Sequence, residues 1–164
     1  MKQKLTAALL ALACLFSLAA CGKNDADPAG YTLEALDLMS KEGAFSEELE
    51  SLDGDTAFAL YKLADYGLSR EDLADCAVLR SAGATCEEGA VLLWQTEEQA
   101  VQAKEALEDY IQGQIDANVD YRPAEIPKLE SARVSQVGST VLMVVAGDMA
   151  AACKAVPYLD QAKN

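Results

Sequence analysis

AVLLWQTEEQAVQAKEA, Ala90–Ala106, joins an apolar run to an Ala-rich stretch through Thr96-Glu97-Glu98-Gln99. That tetrad is a capping box: Thr96 bonds forward to the backbone N–H of Gln99, and Gln99 reaches back to that of Thr96. The box fixes the start of a helix, so Gly89–Gln95 before it reads as a strand. The helix runs to about Asn118, with Ala103, Leu107, Ile111, Ile115 and Val119 on an i+4 stripe. Fifty residues on, TVLMVVAGDMAAACKAV, Thr140–Val156, repeats the order of apolar strand, capped turn and Ala-rich helix, and Lys154 falls opposite Lys104.

Each of these joints follows a shorter strand and a turn. Asp75–Arg80 precedes the first through the polar segment Ala82–Glu88, and Ala132–Val137 precedes the second through Gly138-Ser139, a two-residue hairpin signal. The reading is α+β: two ββα units in one antiparallel sheet of about four strands, with helices packed mainly on one face. Chance similarity of two generic strand–helix joints is the alternative. Upstream, Tyr31–Ser40 reads as a short helix capped by Thr32, and Asp55–Leu63 as a second, ended by Gly67. Ser69 caps one further turn. Lys41–Leu52 stays open between short strand and loop, and Val119–Leu129 reads as a loop with one helical turn.

The front of the chain is an address. Two lysines in Met1–Lys4 precede an apolar run, Leu5–Ala20, shorter than the roughly 20 residues of a comfortable membrane span. Leu18-Ala19-Ala20-Cys21 matches a bacterial lipobox, which places signal-peptidase cleavage between Ala20 and Cys21 and a lipid on Cys21. An ordinary cleavage site with a chance cysteine, or a retained anchor, is the alternative. Two or more acyl chains, at about 0.8 kcal/mol per buried methylene, hold a protein stably to a membrane. The expected organisation is a signal peptide at 1–20, a flexible linker at 21–30 and one domain at 31–160.

Charge and cysteines bound the partners. The first twenty residues hold two of the 13 basic residues and no acidic one, so the rest carries 11 against 27, a net −16. That balance excludes nucleic acid, which needs a basic face, and leaves membrane attachment to the lipid. Beyond Cys14 and Cys21, the odd set Cys76, Cys86 and Cys153 has no metal-ligand spacing. Their apolar neighbours favour buried thiols over a Cys76–Cys86 disulfide.

No reaction centre is legible. The chain has no histidine, which removes His-activated nucleophiles, HExxH zinc sites and the usual neutral-pH base. Glu47/Glu48, Glu87/Glu88 and Glu97/Glu98 are sequence neighbours and point different ways, unlike the separated pair of a glycosidase. Asp53-Gly54-Asp55 reads as a turn with a helix cap. Trp94 reads as a core or rim aromatic rather than a groove wall, and Arg80, Arg122 and Arg133 as partners of nearby carboxylates. No catalytic, cofactor-binding or metal residue is assigned, and no cofactor is expected.

Taken with the lipobox, REDLADCAVLRSAG, AVLLWQTEEQAVQAKEALEDYIQGQ and IPKLESARVSQVGSTVLMVV make the chain resemble bacterial lipoproteins of domain of unknown function family 4358, over roughly Tyr31–Tyr158. The resemblance implies an exported, lipid-anchored domain and carries over no catalytic residue. The expectation is a non-catalytic binding or protein-interaction module on the outer face of the cytoplasmic membrane, partnered by an envelope protein. A small-ligand receptor serving a transporter, or an envelope hydrolase, stands behind it.

Overall fold

The computed structural model describes residues 30–162, with side chains described to Leu159. The expected signal peptide, the expected cleavage between Ala20 and Cys21 and the expected lipidation of Cys21 lie outside the described residues, as does the expected linker up to Ala29.

The sheet is antiparallel throughout. Strands β1 (Glu50–Leu52), β2 (Leu73–Arg80), β3 (Glu88–Trp94), β4 (Arg133–Val137) and β5 (Thr140–Val145) lie in the order β1-β2-β3-β5-β4. The four expected strands form its body, and β1 is a fifth on the outer edge of β2, pairing Leu52 with Val78. β5 is buried at all six positions, as the apolar run Val141–Val145 requires of an interior strand. Gly138, at φ 54°, closes the β4–β5 hairpin with Val137 paired to Thr140.

Helices α1 (Ala35–Lys41), α2 (Gly54–Leu60), α3 (Glu97–Asn118), α4 (Ile126–Glu130) and α5 (Met149–Ala155) complete the fold. The Thr96–Gln99 box caps α3 on both sides, and Asp53 and Asp148 cap α2 and α5 through their side chains. Helix α1 starts later than expected, with Glu34 rather than Thr32 in the capping position.

The expectation of helices mainly on one face is corrected here. Leu92, Val141 and Met143 pack against α3 and Tyr61, whereas Val91, Leu142 and Val144 pack against α1 and α5 on the opposite side. The cause lies in the register. Val91 pairs with Leu142 and Leu92 with Val141, so directly paired positions share a face while residues fifty apart do not. The linkers differ too: two residues separate β3 from α3, and three separate β5 from α5. The units therefore share element order and differ in the side their helix covers.

Candidate functional site

The start of β3 gathers most of the buried charge. Glu88 is 4% exposed. One carboxylate oxygen accepts from the Tyr61 hydroxyl at 2.7 Å, and the other from the Tyr110 hydroxyl at 2.9 Å and Arg80 Nε at 3.1 Å. Tyr61 follows α2, Tyr110 lies on α3 and Arg80 ends β2, so three elements meet on one anion. Burial pushes the Glu88 carboxyl up from its ordinary range, against the Tyr61, Tyr110 and Arg80 donors that hold it ionised. Burial also raises Tyr61 and Tyr110, and the Glu88 charge beside them adds to it.

Glu87 turns the other way, as neighbours in an extended segment do. It is fully buried and accepts from the Ser46 backbone N–H and hydroxyl at 2.7 Å each and from Lys128 Nζ at 2.9 Å. Burying two consecutive carboxylates is tolerable only because every charge finds donors.

Beside the Glu88 cluster, a cleft of about 380 Å3 opens between α2 and α3, with Leu60, Lys62, Tyr66, Asp109 and Gly113 among its walls. Tyr61 and Tyr110 stand edge to face behind it, with ring centroids 5.0 Å apart and planes at 79°. The Tyr66 hydroxyl donates to Asp109, and that bond lifts its pKa to about 12. Two walls break local backbone preferences. Lys62 is the non-glycine residue with positive φ, at 52°, among those described. Gly113 sits inside the 22-residue helix α3 with nothing within 4 Å of where a Cβ would stand. A second, more polar cleft of about 300 Å3 lies across the cluster, between Arg80, Arg122 and the β2–β3 turn, and shares Gln114 with the first.

Several sequence readings find their place. Trp94 is a core residue, 3% exposed, and its indole N–H is buried without a partner. Arg80 does pair with a carboxylate. Arg122 instead donates to the Asn118 side chain and the carbonyls of Gly83 and Thr85, and Arg133 to the carbonyls of Ser131 and Ala132. Asp53 caps α2, and Asp55 pairs with Arg70. Cys76 and Cys86 are half-buried thiols, not a disulfide, and burial pushes both up in pKa. Among the described residues no group of three or more Cys, Asp and Glu side chains is placed to hold a metal ion. Among the same residues no helix is long and apolar enough to cross a membrane.

An open antiparallel sheet with helices on both faces, and a recess beside one end of its central strand, is the class defined by this geometry. The chain belongs to the family described as Domain of unknown function (DUF4358), whose model matches residues 49–146. That span runs from β1 to the end of β5 and includes the Glu88 cluster and both clefts, while α1 and α5 fall outside it. No curated protein and no solved structure matches the chain.

Proposed function

We propose that this chain is an exported, lipid-anchored and non-catalytic binding module of the bacterial cell envelope, held on the outer face of the cytoplasmic membrane through Cys21. One observation carries the reading: the chain enters the domain at the end of the sheet opposite the Glu88 cluster. The Tyr31 backbone N–H donates to Thr140 Oγ1 at 2.7 Å, and Thr140 stands where β5 meets its hairpin, near the Trp94 end of β3. Glu88, at the other end, pairs with Val145. Seven strand residues at about 3.3 Å each separate the two ends by roughly 20 Å. A tether entering at Thr140 leaves both clefts uncovered, and the local concentration it gives at the membrane makes weak contacts count.

The cluster itself supports a binding role over a catalytic one. Both Glu88 oxygens are committed to Tyr61, Tyr110 and Arg80, which suits a fixed wall better than a group that must exchange protons with a substrate. A small-ligand receptor is the second reading, favoured by the cleft beside Gly113, whose volume lies within the range of small-molecule sites.

Photocrosslinking in the producing cells tests the module. A photoreactive residue at Gln112, on the exposed side of α3 beside the cleft, is expected to capture a specific partner. The same residue at Ser139, by the entry point, is expected to capture none. Equal capture from both positions, or fatty-acid labelling that persists in Cys21→Ala, would overturn the reading.

A further inference from the structure

The geometry points to the cleft between Lys62 and Gly113 as a site for a small organic cation, an amine or quaternary ammonium of a few carbons. This rests on the reading of the domain as a binding module and names its ligand class. The walls have the chemistry that recognises such an ion. Tyr66 and Tyr110 are half-buried at the cleft, with the buried Tyr61 ring behind them. All three hydroxyls donate to carboxylates: Tyr61 and Tyr110 to Glu88, and Tyr66 to Asp109. A phenol that donates to an anion carries more electron density in its ring, which strengthens the attraction of the ring face for a cation. The edge-to-face contact with the buried Tyr61 ring, at 79°, holds Tyr110 in place, so Tyr110 and Tyr66 are the aromatic walls that a rounded ammonium can reach.

Charge points the same way. Asp109 is exposed at the cleft, and Glu105 and Asp65 lie near enough to act on Tyr66. The whole chain carries −14. The opposing charge is Lys62, an exposed residue of the same rim. Its ammonium competes with a bound cation and would favour a bound anion, so its removal separates the two ligand classes by sign.

The local costs converge on this cleft as well. A glycine inside a helix costs about 1 kcal/mol against alanine, and a non-glycine residue in the left-handed region carries a further penalty of about the same size. Gly113 has no neighbour that excludes a side chain. Its missing side chain keeps the cleft open, and violations of local preference of this kind gather at functional sites.

The test is calorimetric titration of the full chain with choline and with 3,3-dimethyl-1-butanol, the neutral alcohol of the same shape. Choline is expected to bind at least about tenfold more tightly than the alcohol, which is the loss of about 1.4 kcal/mol of charge-dependent attraction. Asp109→Asn should weaken choline about threefold and Lys62→Gly should strengthen it about threefold, as an exposed charge contact implies. Gly113→Leu fills the cleft and should abolish binding while the unfolding midpoint holds or rises. Equal binding of the two probes, unchanged choline binding in Gly113→Leu, or weaker binding in Lys62→Gly overturns the cation site. Binding of neither probe also overturns it. Retained Gln112 crosslinks in that case leave the binding module standing, whereas their absence removes both.

Discussion

The two faces of the sheet are built on different terms. On the side of α1 and α5, Leu36, Met39, Leu142, Val144 and Leu159 fill a closed apolar layer, and Gly89 is glycine because a Cβ there would stand 2.6 Å from Leu36 Cδ2. On the side of α2 and α3, the apolar layer of Leu92, Met143 and Leu107 gives way at its Glu88 end to tyrosines, an ion pair of buried Glu88 with half-exposed Arg80, and a cleft. There Gly113 is glycine with empty space around it. Charge is buried toward both faces, Glu87 beside Ser46 and Glu88 beside the tyrosines, but the side of α2 and α3 adds a cleft where the side of α1 and α5 packs Leu36 and Met39. The lesson is that a glycine or a buried polar group has to be interpreted by what surrounds it. Gly89 reports packing and Gly113 reports an opening.

Breaking the closed face should cost most. Leu142→Ala deletes a fully buried side chain from the interior strand β5 and is expected to lower stability by about 4 kcal/mol in urea unfolding, with the cleft unaffected. Alkaline pH attacks the open face instead. The raised pKa values of Tyr61 and Tyr110 hold their protons in the folded chain while the unfolded chain releases them near pH 10. Their contribution is complete below pH 10 and lost as pH rises further, by about 3 kcal/mol at pH 11 for the two together. Absorbance at 295 nm should then show these phenols ionising only as the chain unfolds.

Two substitutions probe single contacts of the open face. Tyr110→Phe removes one donor from a buried carboxylate and should cost about 2 kcal/mol, read as a lower urea midpoint with unchanged slope. Lys62→Gly relieves the left-handed backbone at the rim, and is expected to raise stability by up to about 1 kcal/mol.

Much of the closed architecture was legible in the sequence. The Thr96–Gln99 box, the Asp53 and Asp148 caps and the Gly138-Ser139 hairpin are local signals, and each is realised. Where readings failed, the missing information was long-range. The similarity of Ala90–Ala106 to Thr140–Val156 hides that Val91 and Val141 face opposite layers, because face assignment depends on which residue pairs across the sheet. β1 has only three residues and no alternation to betray it. The Glu88 cluster joins positions 61, 80, 88 and 110, which no spacing rule connects. Its one local trace was Glu87-Glu88 opening an apolar strand, an odd place for two charges without partners.

The contrast between the faces is tested most directly by urea unfolding of Gly89→Ala and Gly113→Ala side by side. Overpacking against the buried Leu36 side chain should make Gly89→Ala less stable by about 2 kcal/mol, while a better helix former in open space should make Gly113→Ala more stable by up to about 1 kcal/mol. Opposite signs are the predicted result. Shifts of the same sign would contradict the account, and a destabilised Gly113→Ala above all, since Gly113 would then serve packing rather than an opening.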